Sequence, residues 1–458
     1  MARLTLDTLA QMPAAVRRPD YDFLNLKTGI VHLGIGAFHR AHQAIYTEDA
    51  IRFGGGDWGI RGVSLRHAAV ADALAEQNGL YTVETLASEL NYRVVAVIRG
   101  SLCAGEDGIT LQMALAAPQT HIVTLTITEK GYCLGQEGAL DFSHPDIAHD
   151  LNHPDQPRTA IAWLVRGLAT RHRSHGAPIT VVSCDNLQGN GAKLGCAVTA
   201  FAERSRPEML PWLKANVTFP VTVVDCIVPA ATENSRARVG AAIGLQDAAC
   251  VHREAFSQWV IEDRFAGPRP AWDRVGVQMV ADVSRYGQLK LHVLNACHSA
   301  LAYLGLPRGY CFVREAIADP ELAQFLENLV STEIAPALEN IPVLEYWRTV
   351  RPRFLNPRID HRLSQIAEDG SAKLAQRIFP LMIANAGAGI PVVALARIVR
   401  SWLQLAASGS AKDPHQRLLQ SWVHAGADLQ IALDDPVLFP PAIRLNALLR
   451  ACIVNAVS

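Results

Sequence analysis

Lysine is scarce in this chain: seven residues, Lys27, Lys130, Lys193, Lys214, Lys290, Lys373 and Lys412, stand against thirty-five arginines. Arginine carries the routine positive charge. A lysine kept against that bias has one property arginine lacks, a proton that it can lose near neutral pH. Lys290 lies in QLKLHVLNACHSALAYLG, followed by Asn295 and His298. On a helix turning ~100° per residue, Lys290 and His298 stand roughly 80° apart and Asn295 about 60° from His298, so all three fit one broad face. Leu291, Val293, Leu294, Leu301 and Leu304 fill the remaining faces. The helix is therefore predicted to be largely buried, and a buried polar triplet needs a purpose. Burial can lower a lysine pKa by ~3 units or more from about 10.4, into the range of a general acid and base.

A second polar knot, SCDNLQGNG, follows a predicted strand. It puts Asp185 and Asn186 at the C-terminal edge of a sheet, where open α/β folds bind ligands. The amides of Asn186 and Asn295 are suited to donate to an oxygen that gains charge as a carbonyl is reduced. His39 and His42 form an HxxH, and His292 and His298 lie on the lysine segment, but no Cys/His/Glu set has a recognised zinc spacing. No catalytic metal is expected.

In GIVHLGIGAFHRAHQAIY a predicted strand runs into Gly34-x-Gly36 and then into a helical pattern, with His39 where the usual third glycine would stand. A plain strand-to-helix turn can carry two glycines. At the first strand of an α/β pattern they also let backbone N–H groups approach a pyrophosphate. The cradle candidates are Gly34, Ile35, Gly36, Ala37, Phe38 and Arg40. The second strand of such a unit usually ends in an acid that binds ribose, but GVSLRHAAVADAL offers Arg66, His67, Ala68 and Ala69. Arg66 can stack on adenine or meet a 2′-phosphate, so NAD is expected as cofactor with NADP left open.

These residues need a scaffold. GIVHLG, WGIRGVSL, HIVTLTIT, PITVVSC and FPVTVVD read as short strands, with amphipathic stretches such as TAIAWLVRGLATRH and NGAKLGCAVTAFAERS among them. That alternation predicts an α/β fold, a doubly wound parallel sheet of Rossmann type. YTVETLA and YRVVAVIRGSL read as an antiparallel insertion. Beyond about residue 280 only helical periodicity remains. The expected domains are 1–277, binding the dinucleotide, and 278–458, mostly helical and carrying substrate and catalytic groups. The 458 residues hold 42 basic and 43 acidic side chains, net charge −1. That balance makes nucleic acid and membrane surfaces poor partners. PLMIANAGAGIPVVALA, broken by Asn385, Gly387, Gly389 and Pro391, reads as two helix ends rather than a span. The nine cysteines contain no Cys-x-x-Cys and read as reduced core thiols. With no signal peptide evident, the expected location is cytoplasmic, as a monomer or small homo-oligomer.

GIGAFHRAHQ, TLTITEKGYC, SCDN, KLHVLNACH and RFLNPRIDHRLSQIAEDGSAK together, spanning about residues 30 to 380, resemble the polyol-specific long-chain dehydrogenases and reductases. The family includes mannitol and arabinitol dehydrogenases and uronate reductases. The resemblance implies metal-independent hydride transfer with Lys290 as general acid/base, Asn186 and Asn295 polarising the oxygen, and His298 orienting substrate or lysine. Within the family the likeness leans towards the uronate enzymes, fructuronate reductase (D-mannonate oxidoreductase) in particular. This implies interconversion of D-fructuronate and D-mannonate. A uronate carries a carboxylate, and His361, Arg362 and Lys373 are the groups placed to pair with it.

Three departures stand out. Cys226 follows Asp225 where the family has Val-Asp-Arg, with Asp225 a candidate substrate contact. Gln365 lies near an arginine position of the mannitol enzymes. Gly287 and Gln288 replace an acidic pair that could relay protons, which leaves Glu129 as the relay candidate. The alternatives are a mannitol or arabinitol dehydrogenase, a tagaturonate reductase, and a nucleotide-binding sensor without chemistry. In every case the partner is a small sugar acid or polyol, or the nucleotide alone.

Overall fold

The computed structural model describes residues 1–135, 138–424 and 429–456. The chain divides into two compact units, Met1–Val283 and Ser284–Ser458. Among its described residues the first unit has twelve strands: β1 (Thr28–Leu33), β2 (Gly59–Ser64), β3 (Tyr81–Leu86), β4 (Leu90–Val95), β5 (Ile98–Cys103), β6 (Ile122–Leu125), β7 (Ile179–Ser183), β8 (Val217–Thr218), β9 (Thr222–Asp225), β10 (Val251–Glu254), β11 (Gln258–Glu262) and β12 (Gln278–Val280). Its main sheet runs β5-β2-β1-β6-β7-β8, and every pairing in it is parallel. Read in chain order, this is the 3-2-1-4-5-6 arrangement of a dinucleotide-binding fold, whose order reverses between β1 and β6. Helices cover both faces, which is why β6 and β7 are buried at every position and read as unbroken apolar and Thr-rich runs.

Two of the expected strands pair differently. YRVVAVIRGSL divides: β4 closes an antiparallel hairpin with β3, from Tyr81↔Val95 to Leu86↔Leu90, whereas β5 joins the main sheet beside β2. FPVTVVD supplies β9, which runs antiparallel to β11 in a separate three-stranded sheet. Alternation alone cannot separate these outcomes, because each buries a similar set of β-branched residues. The domain division also falls later than residue 277, because β12 pairs with β11 and so belongs to the first unit.

The second unit is helical, around one apolar core that includes Leu301, Trp347, Phe379, Val399 and Trp402. PLMIANAGAGIPVVALA supplies the end of Phe379–Gly387 and the start of Val393–Ala407. The helical pattern expected over HQRLLQSWVHAGADL is present as Gln416–His424; its residues 425–428 lie outside the described ones. Among the described residues no helix is long and apolar enough to cross a membrane. All nine cysteines are free thiols, but Cys196 and Cys311 are exposed rather than in the core.

Candidate active site

At the end of β1 the backbone turns sharply at Gly34, with φ +94°, and an added Cβ there would lie 2.1 Å from the Thr126 carbonyl oxygen. The turn is fixed from below. His32, fully buried on β1, makes hydrogen bonds with the Gly34 carbonyl (Nε2, 2.9 Å) and with the hydroxyls of Thr124 (Nδ1, 2.7 Å) and Thr126 (Nε2, 2.9 Å). Burial pushes the His32 imidazole down to about 3. The turn opens on a cleft of about 380 Å³ lined by Gly34, Ile35, Gly36 and Arg66, as expected. Thr126, Ile127, Thr128, Lys130 and Arg158 also line it, and the sequence reading missed them.

The residues fit a dinucleotide. A Cβ on Gly36 would have only the Gly34 carbonyl oxygen near it, at 3.9 Å, so a bare stretch of backbone faces the opening. Arg66, His67, Lys130 and Arg158 are in the lining, and no carboxylate is, among the described residues. Ala37, Phe38 and Arg40 are not part of it. The Arg40 guanidinium is buried, donating to the carbonyls of Ala249 and Gly36 and lying over the Tyr81 ring, so it braces the turn from the interior. His39 and His42 do not converge on a metal: His39 stacks on His32 at 3.4 Å, and His42 Nε2 meets the Gln258 carbonyl.

The segment that follows β6 forms another wall of the cleft, and the end of β7 braces it from outside the lining. Asp185 accepts from the backbone N–H of Ile127 and of Thr128, both at 2.9 Å, and from the Tyr132 hydroxyl at 2.7 Å. Burial raises its pKa, against the pull of those three donors. Asn186, the next residue, is exposed at this edge. Glu129 is exposed on the short turn Glu129–Tyr132 and is not in the cleft lining. Asp225 is buried at the end of β9.

In the second unit the lysine segment departs from α-helical geometry. Between Ser284–Leu289 and Ala296–Gly305 lies one π-turn, Lys290–Asn295. An ordinary helix would set Lys290 and Asn295 roughly 140° apart, at ~100° per residue. Bonding from i to i+5 brings them towards the same face. Lys290 is half-buried rather than sunk in the core, whereas His298 is buried. Arg377, at the end of Gly370–Arg377, donates to the Asn295 carbonyl (3.3 Å) and the Ser299 hydroxyl (3.1 Å), and its own carbonyl meets His292 Nδ1 (3.1 Å).

His298 packs on Phe354 (ring centroids 4.4 Å apart) and edge-on to His361 (4.9 Å). Both imidazoles are neutral. Burial, with His361, Arg353 and Arg377 nearby, puts His298 well below its ordinary pKa; burial and Lys373 bring His361 down to about 4. His298 Nε2 and His361 Nδ1 are buried without a hydrogen-bond partner among the described residues. Arg362 goes elsewhere. It is exposed over the Phe312 ring, because extended backbone sends consecutive side chains to opposite sides. Lys373 donates to the Ile366 carbonyl at 3.1 Å.

Residues 28–274 match the mannitol dehydrogenase Rossmann domain and residues 282–457 the mannitol dehydrogenase C-terminal domain. The chain belongs to the mannitol dehydrogenase family. It is an NAD(P)-dependent oxidoreductase acting on a CH–OH group. Relatives in this family include the D-mannonate oxidoreductase of Escherichia coli, 41% identical over 81% of this chain and 79% of that protein. The mannitol 2-dehydrogenase of Phaeosphaeria nodorum is 38% identical over 84% of this chain and 70% of that one. The Pseudomonas fluorescens mannitol 2-dehydrogenase, solved with NAD and D-mannitol, superimposes with a TM-score of 0.87 at 34% identity, covering 99% of this chain and 95% of its own. These identities place the chain in the mannitol dehydrogenase family without separating its polyol branch from its uronate branch.

Proposed function

We propose that this member of the mannitol dehydrogenase family oxidises a secondary hydroxyl of an acyclic polyol such as mannitol or arabinitol to the ketone, and catalyses the reverse reduction. The observation that carries this reading is the pair of neutral imidazoles, His298 and His361, each with a buried, unpartnered ring nitrogen close behind the Lys290–Asn295 turn. Neutral nitrogens at that spacing suit hydroxyl groups, which both donate and accept. When NAD(P) is bound, its nicotinamide accepts or gives the hydride. Neutral Lys290 takes the hydroxyl proton as the alcohol is oxidised, and its protonated form returns that proton in reduction. The amides of Asn186 and Asn295 donate to the oxygen as it carries negative charge. His298 orients the hydroxyls, with Asp225 a further acceptor for them.

A second reading, D-mannonate and D-fructuronate or the tagaturonate pair, draws on Lys373, whose positive charge bears on His361, and on the 41% identity to a D-mannonate oxidoreductase. In that reading Lys373, not Arg362, meets the carboxylate. A panel of mannitol, arabinitol, mannonate and altronate with NAD and with NADP separates the two. A polyol dehydrogenase turns over the neutral substrates with the higher kcat/KM. Faster turnover of the acids overturns the polyol reading, and absence of turnover with the whole panel overturns both readings of the substrate. Lys290→Ala is expected to keep NADH affinity and lose turnover by about 10² or more. Near-normal turnover in that variant removes Lys290 from the proton transfer.

A further inference from the structure

Thr128 has φ 64° and ψ 161°. That region is in practice reserved for glycine, and a β-branched side chain fits it badly. A residue stays there only where its surroundings impose it. Here the surroundings centre on one carboxylate. Oδ1 of Asp185 accepts from Thr128 N–H and Oδ2 from Ile127 N–H, each at 2.9 Å. Tyr132, four residues further on, reaches the same Oδ2 and also the Ser183 hydroxyl. In an extended strand consecutive N–H groups point to opposite sides. Turning two of them onto one anion needs the unusual dihedrals that Thr128 adopts. The far end of the segment, Cys133, also has positive φ, 52°. Asp185 is anchored in turn, since the Asn190 amide donates to the carbonyls of Asp185 (3.1 Å) and Ser183 (3.2 Å).

Ile127, Thr128, Lys130, Gly131 and Cys133 all line the dinucleotide cleft, and Asp185 does not. We infer that Asp185 is a positioning residue for the dinucleotide: its carboxylate holds the 127–133 segment in the strained shape that forms one wall of the cleft. Without that carboxylate Thr128 relaxes to an ordinary conformation and the wall moves. The inference rests on the nucleotide cleft alone and not on the roles proposed for Lys290, Asn186 or His298.

A double-mutant cycle read by NADH binding tests it. NADH fluorescence titrations would give Kd for the native enzyme, Asp185→Asn, Thr128→Gly and the double variant. Asparagine keeps one acceptor but sets an N–H₂ group against the second donor. The strain that such a residue carries corresponds to about five- to 150-fold in Kd. Asp185→Asn is therefore expected to weaken NADH binding about tenfold or more when residue 128 is threonine. In the Thr128→Gly background, where the conformation needs no support, the loss is expected to shrink to roughly threefold or less. An equal loss in both backgrounds overturns the inference. So does a lowered melting temperature in Asp185→Asn with unchanged Kd, which is what a merely structural carboxylate would give. If Asp185→Asn alone does not fold, the double variant is expected to fold, because glycine removes the strain; failure of both overturns the inference as well. Turnover plays no part in the readout, so a failed assignment of Lys290 leaves this test intact.

Discussion

An added Cβ at Gly34 would meet the Thr126 carbonyl oxygen at 2.1 Å and would need φ +94°, whereas at Gly36 it would have only the Gly34 carbonyl oxygen, at 3.9 Å. The two glycines of one motif thus fail in different ways. Gly34→Ala is expected to destabilise the first unit, by several °C in melting temperature, as well as to weaken NADH binding. Gly36→Ala is expected to leave the melting temperature near that of the native enzyme while raising the NADH Kd about tenfold, because the methyl projects into space that a pyrophosphate would fill. Matching losses of stability in both would show that Gly36 is needed for the turn rather than for the ligand. At this scale the sequence identified residue types well and side-chain directions poorly. Arg40 falls in the expected cradle and Arg362 among the expected carboxylate contacts. Arg40 turns inward to the Ala249 carbonyl and Arg362 outward to Phe312, choices fixed by neighbours far along the chain.

The helix 284–305 is interrupted by the π-turn at the residues proposed to do the chemistry, as inserted residues in helices often are at functional sites. An Arg377 guanidinium bonded to both the Asn295 carbonyl and the Ser299 hydroxyl fastens the end of that turn. Both bonds leave one nitrogen, Nη1, and the shorter lysine side chain ends before the position that Nη1 holds. Arg377→Lys is therefore expected to lower kcat about tenfold or more through misplacement of Lys290 and Asn295, while NADH affinity is kept. Unchanged kcat in a folded Arg377→Lys enzyme would reduce the contact to structural support. Nothing in KLHVLNACH announces a π-turn, because the leucines fit an α-helical stripe equally well. The parallel strands were legible for the opposite reason. A sheet covered on both faces demands continuous apolar runs, and the positions of β1, β2, β6 and β7 follow from them. FPVTVVD satisfied the same demand and still paired antiparallel, since burial constrains composition but not direction.

Across the whole chain, both units carry histidines that folding keeps neutral: His32 under the dinucleotide turn, held down to about 3, and His361 beside His298, held down to about 4. An unfolded histidine titrates near 6.5. Between pH 6.5 and each folded value the unfolded chain binds more protons than the native one, so native stability falls as the pH drops through that window and levels off below the folded pKa. Above pH 6.5 neither group contributes a slope. For the fully buried His32 the free energy involved is of the order of 5 kcal/mol at most, a large share of the stability of an ordinary domain. Thermal melts from pH 8 to pH 4 are therefore expected to be flat above about 6.5 and to decline steeply below it. Asparagine can replace some of the His32 hydrogen bonds but cannot take up a proton. His32→Asn should accordingly start from a lower melting temperature and lose less on acidification. Parallel acid slopes in the native enzyme and His32→Asn would mean that the neutral histidine beneath the nucleotide turn does not set the acid limit, leaving it to carboxylates such as Glu84, whose partners Arg238 and His252 hold it down to about 2.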